Sequence, residues 1–158
     1  MGWNILGWLL PAILGALLLS AGIEDARRRE IANWKNAAMA LLAPLWWVAI
    51  GLDPWPGMAL QLGVAAVAFA FFVGAFALGQ MGGGDVKMIG ALALWLAPDG
   101  LMRMLMVMAI VGGALTLAFL IESRLKRGDR AQIEVPYGVA IAVAGLLALR
   151  EPLLNQFS

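Results

Sequence analysis

Long apolar runs alternate with short polar breaks along the whole chain. The runs cover about 3–22, 36–51, 57–78, a fourth that ends near 97, 101–121 and 135–149. A bilayer core about 30 Å thick takes roughly 20 helical residues per crossing, so each run is read as one membrane helix. We therefore predict an all-α, polytopic membrane protein with six transmembrane helices in one domain, residues 1–158.

Composition supports the prediction of a membrane protein and limits the kinds of catalytic or metal site that the chain can contain. Of the 158 residues, 63% are hydrophobic and 13% charged, so a soluble domain would leave apolar surface bare. The absence of histidine and cysteine excludes HExxH zinc sites, Ser-His-Asp triads, Cys-His pairs and CxxC motifs. Chemistry is left to carboxylates, lysines, hydroxyls and backbone. We expect no metal, no other cofactor and, at a net charge of +1, no nucleic-acid partner.

Basic residues predict the orientation, because short loops rich in lysine and arginine stay in the cytoplasm. Only Arg103 and Arg150 fall on the opposite side, so both termini are predicted to lie outside the cytoplasm. Six of the seven tryptophans fall towards the external ends of their segments, as an interfacial belt would require. The basic residues predicted to face the cytoplasm are Arg27, Arg28, Arg29, Lys35, Lys87, Arg124, Lys126, Arg127 and Arg130.

The fourth apolar run is too short for a full crossing. Twelve residues from Val86 to Ala97 reach about 18 Å as a helix, so residues 80–85 must enter the membrane and Asp85 is partly immersed. An ionisable group at that depth marks function by default. The glycines at 82–84 allow close backbone approach and positive φ, which suit irregular backbone lining a cavity. The alternative is a surface loop that merely connects two helices.

Asp25 follows the first helix and belongs to the same predicted cytoplasmic layer. If the first and fourth helices are neighbours, the carboxylates of Asp25 and Asp85 meet, and two such groups cannot both ionise easily. One then holds a proton while the other acts as a base, which is what aspartic peptide hydrolysis requires. Taken alone, Asp25 beside Glu24 and three arginines also fits an ordinary charged loop.

Three segments together resemble the type IV prepilin peptidases, a family of GxGD intramembrane aspartic peptidases. Residues 82–87 resemble the GxGD motif. Residues 25–33 resemble the segment with the family's first aspartate, which usually ends in Ile-Pro-Asn, and residues 135–140 resemble the proline-tyrosine-glycine opening of its last helix. The order of the motifs within a six-helix chain makes the resemblance specific, although GxGD by itself is weak.

The resemblance implies a multi-pass peptidase of the inner (cytoplasmic) membrane. Such enzymes remove the basic leader of prepilin, pseudopilin or archaeal flagellin-like precursors at the cytoplasmic face, after a glycine or another small residue. Asp25 and Asp85 match the two catalytic positions. The residues that match the motifs around them, and would support the site or the substrate, are Asn33, Gly82, Gly83, Gly84, Lys87, Pro136, Tyr137 and Gly138.

The chain departs from the family pattern in two places. Ala32 stands where the family usually has proline, which puts the rigidity of that loop in question. The CxxC-containing extension of the longer, bifunctional members is missing. The chain is therefore more similar to the short members that serve Flp/Tad-type pili, and we expect no methylation of the new N-terminus.

Two other classes of function stay open. A small proton or ion transporter could use Asp25 and Asp85 as relay groups, but the apolar middles of the second, third, fifth and sixth helices count against a path across the membrane. A structural component of a secretion machine would tolerate asparagine at both positions. Lys87 also fits a snorkelling basic residue, and the three consecutive arginines fit topology determinants.

Overall fold

A computed structural model describes residues 2–125 and 135–155, and all regular structure in these residues is helical. This confirms the all-α prediction and the number and order of the predicted helices. A short turn, Pro54–Met58, in which Trp55 has extended backbone at φ −136° and ψ 127°, precedes the third helix. The helices are α1 (Gly2–Arg28), α2 (Asn33–Ala49), α3 (Ala59–Ala77), α4 (Gly83–Ala93), α5 (Pro98–Leu125) and α6 (Tyr137–Asn155).

Three stretches of the described chain are long and apolar enough to cross a membrane: Ile5–Arg28, Pro54–Ala77 and Pro98–Arg124. A shorter apolar helix covers Tyr137–Arg150. These stretches support a membrane protein, whereas six crossings with both termini outside the cytoplasm stay a prediction. Three of the basic residues used for orientation, Lys126, Arg127 and Arg130, lie outside the described residues.

One face of α1 carries a stripe of buried side chains. Leu10, Leu14, Leu18 and Ala21 are at most 3% exposed and recur every three or four residues, the spacing of one helix face. Asp25 is the next position of the same stripe and is 6% exposed. The packing that buries the apolar face of α1 therefore also turns the Asp25 side chain into the protein.

Helices α1 and α4 make little direct contact with each other, because α2 and α6 each pack against both. The sequence leaves open whether these two helices are neighbours, and in the structure a glycine of α6 keeps them close. A Cβ at Gly145 would lie 3.1 Å from a methyl carbon of Leu18 on α1 and 3.2 Å from one of Leu92 on α4. The small residue lets side chains from both helices approach the α6 backbone.

The end of α4 explains how so short a helix is accommodated. It stops at Ala93 rather than near residue 97, which leaves its last carbonyl groups without partners inside the helix. Gln61 of α3 donates from Nε2 to the Ala93 and Leu96 carbonyls at 2.8 and 2.6 Å. Trp47 of α2 donates from Nε1 to the Leu94 carbonyl at 2.7 Å. Buried donors on α2 and α3 thus satisfy the backbone after α4, as an apolar surrounding requires.

Three tryptophans lie in the core instead of a lipid-facing belt. Trp46, Trp47 and Trp95 are each about 5–6% exposed, and the rings of Trp46 and Trp95 stack at 6.0 Å between centroids. The indole of Trp95 donates to the Met39 carbonyl at 2.8 Å. The belt interpretation is wrong for these three residues, because their rings are buried inside the protein, where the N–H groups of Trp47 and Trp95 find backbone acceptors. Trp55, at 81% exposure, is free to take the predicted interfacial position.

Candidate active site

A cavity of about 350 Å³ lies where the loop between α1 and α2 meets the start of α4. Asp25 reaches it from the end of α1 and Asp85 from the first turn of α4. Both side chains are largely buried, and they are close enough for their charges to interact. The structure thus brings the two predicted catalytic residues into one cavity. Its lining consists of Asp25, Arg29, Glu30, Ile31, Asn33, Gly82, Gly83, Gly84 and Asp85.

The start of α6 packs directly on the Asp25 carboxylate. A Cβ at Gly138 would lie 2.8 Å from both Cγ and Oδ2 of Asp25 and 2.8 Å from Cδ1 of Ile31, so a larger residue would displace these side chains. The positive end of the α6 dipole faces the acid. The Oδ2 atom is buried and has no hydrogen-bond partner among the described residues. The carboxylate nevertheless interacts with the backbone N–H groups of Gly138 and Val139, so the start of α6 holds the Asp25 side chain.

The glycines before Asp85 are needed for close approach and not for unusual backbone angles. Gly82 has extended backbone at φ −70° and ψ 145°, while Gly83 and Gly84 already belong to the first turn of α4. The glycines permit positive φ, but none of these three adopts it. A Cβ at Gly82 would lie 3.0 Å from Oδ2 of Asp85, and one at Gly84 would lie 3.3 Å from Cβ of Ile31.

An ion pair that the sequence did not reveal holds the loop between α1 and α2. Nζ of Lys35 lies 2.8 Å from Oε2 of Glu24 and donates to the Ser20 carbonyl at 3.2 Å. The same Glu24 oxygen accepts the Ala32 N–H at 3.2 Å. The distribution of basic residues predicts only a role in membrane orientation for Lys35. The residue is nevertheless buried, at 7% exposure. These contacts tie the loop back onto α1 one residue before Asp25.

Two amide side chains connect α2 with α4. Nδ2 of Asn36, a residue that the motif comparison did not single out, donates to the Gly84 carbonyl at 3.2 Å. Nζ of Lys87 donates to Oδ1 of Asn33 at 2.8 Å. Asn33 lines the cavity, whereas Lys87 does not. Lys87 thus contacts the site through Asn33, in addition to being an exposed basic residue.

Arg29 also lines the cavity, although the sequence suggested only a topological role. Its backbone has φ 58°, the left-handed conformation that commonly ends a helix, and its N–H donates to the Asp25 carbonyl at 2.9 Å. Its guanidinium lies over the Phe119 ring of α5, 5.4 Å from the centroid. The turn that ends α1 therefore directs the chain across the mouth of the cavity.

The remaining predicted site residues contribute to packing. Pro136 is buried just before α6. The Tyr137 ring lies against α5, where a Cβ at Gly112 would be 3.0 Å from its Cε1 atom. Neither residue lines the cavity. Within residues 2–125 and 135–155, no group of three or more potential metal ligands comes together.

Comparison with known families places this geometry in context. Residues 12–117, about two thirds of the chain, match the type IV leader peptidase family. The chain therefore belongs to the type IV leader peptidase family. Family membership indicates a peptidase with a prepilin-like substrate, and it agrees with the membrane character of the helices. Asp25 and Asp85 both lie within the matched residues, whereas residues 136–138 follow them. No curated protein and no solved structure matches the chain significantly.

Proposed function

We propose that this leader peptidase is an aspartic endopeptidase in which Asp25 and Asp85 activate water against the peptide bond after a precursor's leader. The observation that carries the proposal is the burial of both carboxylates in one cavity, on elements far apart in sequence. Two carboxylates that interact in this way favour a state with one proton between them. That state supplies a base and an acid at the same site.

The reaction then needs no group beyond the two acids and water. The ionised carboxylate takes a proton from water, whose oxygen attacks the carbonyl carbon, while the protonated carboxylic acid donates to the carbonyl oxygen. As the tetrahedral intermediate collapses, the carboxyl group that took the water proton donates it to the amide nitrogen, and the C–N bond breaks. The other carboxylate takes a proton from a hydroxyl of the intermediate, so the second product is a carboxylic acid. The two aspartates then share one proton again.

We further propose the cellular setting of the reaction. The excess of basic residues on one side of the six helices supports a multi-pass protein of the inner membrane, with the cavity at the cytoplasmic face and both termini outside. A precursor with a basic leader would then present its cleavage site from the cytoplasm, with its apolar helix in the bilayer. We propose a substrate of the Flp/Tad pilin type, and no methylation of the product.

The dyad is tested by single substitutions to asparagine, which keep side-chain size and remove the acid. Asp25→Asn and Asp85→Asn are each expected to lower precursor cleavage by about 10²–10⁴-fold, the usual contribution of a positioned acid or base. The assay is co-expression of each variant with a candidate precursor, and cleavage is followed by the mobility of the processed band.

Asp99→Asn is the matched control, because Asp99 is exposed and paired with Arg103 at 2.6 Å, far from the cavity. It should cleave as the wild type does. All three variants should insert into the membrane in equal amounts. Normal processing by Asp25→Asn and Asp85→Asn would exclude the dyad and leave peptidase chemistry to other groups.

A further inference from the structure

A second, larger cavity opens beside the site. It is a groove of about 530 Å³ whose floor is α4 and whose walls are α2 and α3, two helices that both pack on α4 but hardly contact each other. Half of the twelve residues along it are alanine or glycine, which lets another helix approach the backbone closely. The small residues that line it are Ala37, Ala40, Ala65, Ala66, Gly90 and Ala91.

The groove continues from the candidate active site. Asn33 lines both cavities, so the groove starts where the site ends. From there it extends from Lys87 of α4 to Leu94 just after that helix, eight residues with a rise of about 10 Å, or two helical turns. One end is therefore polar and adjacent to the two aspartates, and the other is apolar.

Asn36 gives the groove a buried hydrogen-bond acceptor. The residue is 4% exposed and lines the groove, and its Nδ2 donates to the Gly84 carbonyl, which fixes the orientation of the amide. Its Oδ1 is thus an acceptor, buried and without a partner among the described residues. The first N–H groups of any helix lack acceptors within that helix. A lipid phosphate, in contrast, offers only acceptors.

We propose that this groove binds the first turns of the precursor's apolar helix, with Asn36 accepting a backbone N–H at the helix start and the scissile bond lying in the adjacent cavity. The inference rests on the proposed peptidase function. It commits the groove to the substrate, not to an acyl chain or a second copy of the enzyme, because the buried acceptor beside the aspartates requires a donor.

The first test fills the groove without touching the aspartates. Ala66 and Ala70 are both exposed alanines on α3, but only Ala66 lines the groove. Ala66→Leu is expected to lower kcat/KM for the precursor by about tenfold, mainly through a higher KM, because the added side chain occupies the binding volume. Ala70→Leu should cleave like the wild type. Equal kinetics for the two variants would overturn the proposal.

The second test locates the substrate directly and uses the lack of cysteine in the native chain. In an Asp85→Asn background, a cysteine is placed at Ala37 in the groove or at Leu41, which is 74% exposed and lies outside it. A precursor with one cysteine in the first turns of its apolar helix should cross-link to the Ala37 position and not to Leu41.

The possible results separate the two proposals. If the wild-type enzyme does not cleave the precursor, the peptidase function fails and the groove assignment falls with it. If the wild type cleaves but cross-linking is absent, or is as strong at Leu41, the function stands and the groove assignment is wrong. Absence of cross-linking together with a phospholipid retained by the wild type and lost from Ala66→Leu would assign the groove to lipid.

Discussion

Helices α1 and α3 are similarly hydrophobic but use their surfaces in opposite ways. In the most apolar stretch of each, 39% of the α1 segment is buried inside the protein, compared with 17% of the segment that contains α3. The buried stripe of α1 ends in Asp25, and α1 packs on α2 and α6. On α3, Val67 and Phe71 are each 72% exposed. Hydropathy therefore identifies both segments as helices. The positions of the polar residues show which of the two buries more of its surface in the protein.

The difference teaches where this fold concentrates its constraints. Several constraints meet in space around the end of α1. They are the ion pair between Glu24 and Lys35, the contact of Gly138 with Asp25, and the two carboxylates of the cavity. Along α3, Gln61 makes buried hydrogen bonds at one end, and most of the remaining surface is apolar and exposed. Substitutions near α1 should thus affect activity and stability strongly, whereas those on the outer face of α3 should be tolerated.

Among substitutions that leave both aspartates in place, the largest effect is expected at Gly138. In Gly138→Ala the new Cβ would lie 2.8 Å from Cγ and Oδ2 of Asp25, so the carboxylate must move. A displacement of about 1 Å can cost about 10²-fold in rate, and we expect a loss of precursor cleavage of that size. The measurement is initial cleavage rate with purified enzyme in detergent micelles.

Gly74→Ala on α3 is the matched control, because no atom lies within 4 Å of its Cβ position. Its cleavage rate should stay within about twofold of the wild type, as for other substitutions in open space. If the two alanine variants cleave equally well, contact between α6 and Asp25 does not determine the position of the acid.

A smaller effect is expected from the ion pair of the loop. Lys35→Met leaves Glu24 partly buried without its partner, so the thermal midpoint in micelles should fall by several degrees. The double variant Lys35→Met/Glu24→Gln should recover part of the loss, because it removes the uncompensated charge and keeps an acceptor for the Ala32 N–H.

The exposed ion pair between Arg103 and Asp99 serves as the comparison. Its side chains are 57% and 68% exposed, so water screens their attraction, and Arg103→Met should change the midpoint far less than Lys35→Met. Equal shifts at the two pairs would mean that burial of Lys35 adds nothing to the stability of the loop.

The smallest effects are expected on the outer faces of α3 and α5. Val67 and Ile110 are each 72% exposed and apolar, as lipid-facing residues should be. Val67→Leu and Ile110→Leu should each leave the cleavage rate within about twofold of the wild type. A tenfold loss in either variant would show that this face binds protein and would remove the contrast with α1.

Much of the fold could be predicted from hydropathy, because each apolar run corresponds to one helix. The exceptions are two helix ends. Helix α1 continues to Arg28 instead of ending near residue 22, so Asp25 lies in the helix and not after it. Helix α4 stops at Ala93 because Gln61 and Trp47 satisfy the backbone that follows. Such partners come from distant parts of the chain, so a local pattern does not show them. The same reason hides the core position of Trp95, whose indole finds an acceptor on α2.

Both aspartates could be found from the sequence, and the spacing of apolar residues on α1 also indicates that Asp25 points into the protein. Leu18, Ala21 and Asp25 follow the spacing of one helix face, so the buried stripe of α1 leads directly to the acid. The roles of Lys35 and Asn36 could not be found in this way, because each depends on one distance to a residue elsewhere in the fold: Glu24 for Lys35, Gly84 for Asn36. Charge alone does not distinguish a buried lysine from a topological one.

The alanine at position 32 predicts which nearby residues vary together with it in related sequences. Its φ of −59° and ψ of 127° are angles that proline also adopts, but the Ala32 N–H donates to Glu24, and proline has no such donor. A ring would fix this bend by itself. Here the bend depends on the side chains of Glu24 and Lys35 as well, so we expect these two positions to be inherited together with alanine and to vary freely wherever proline returns.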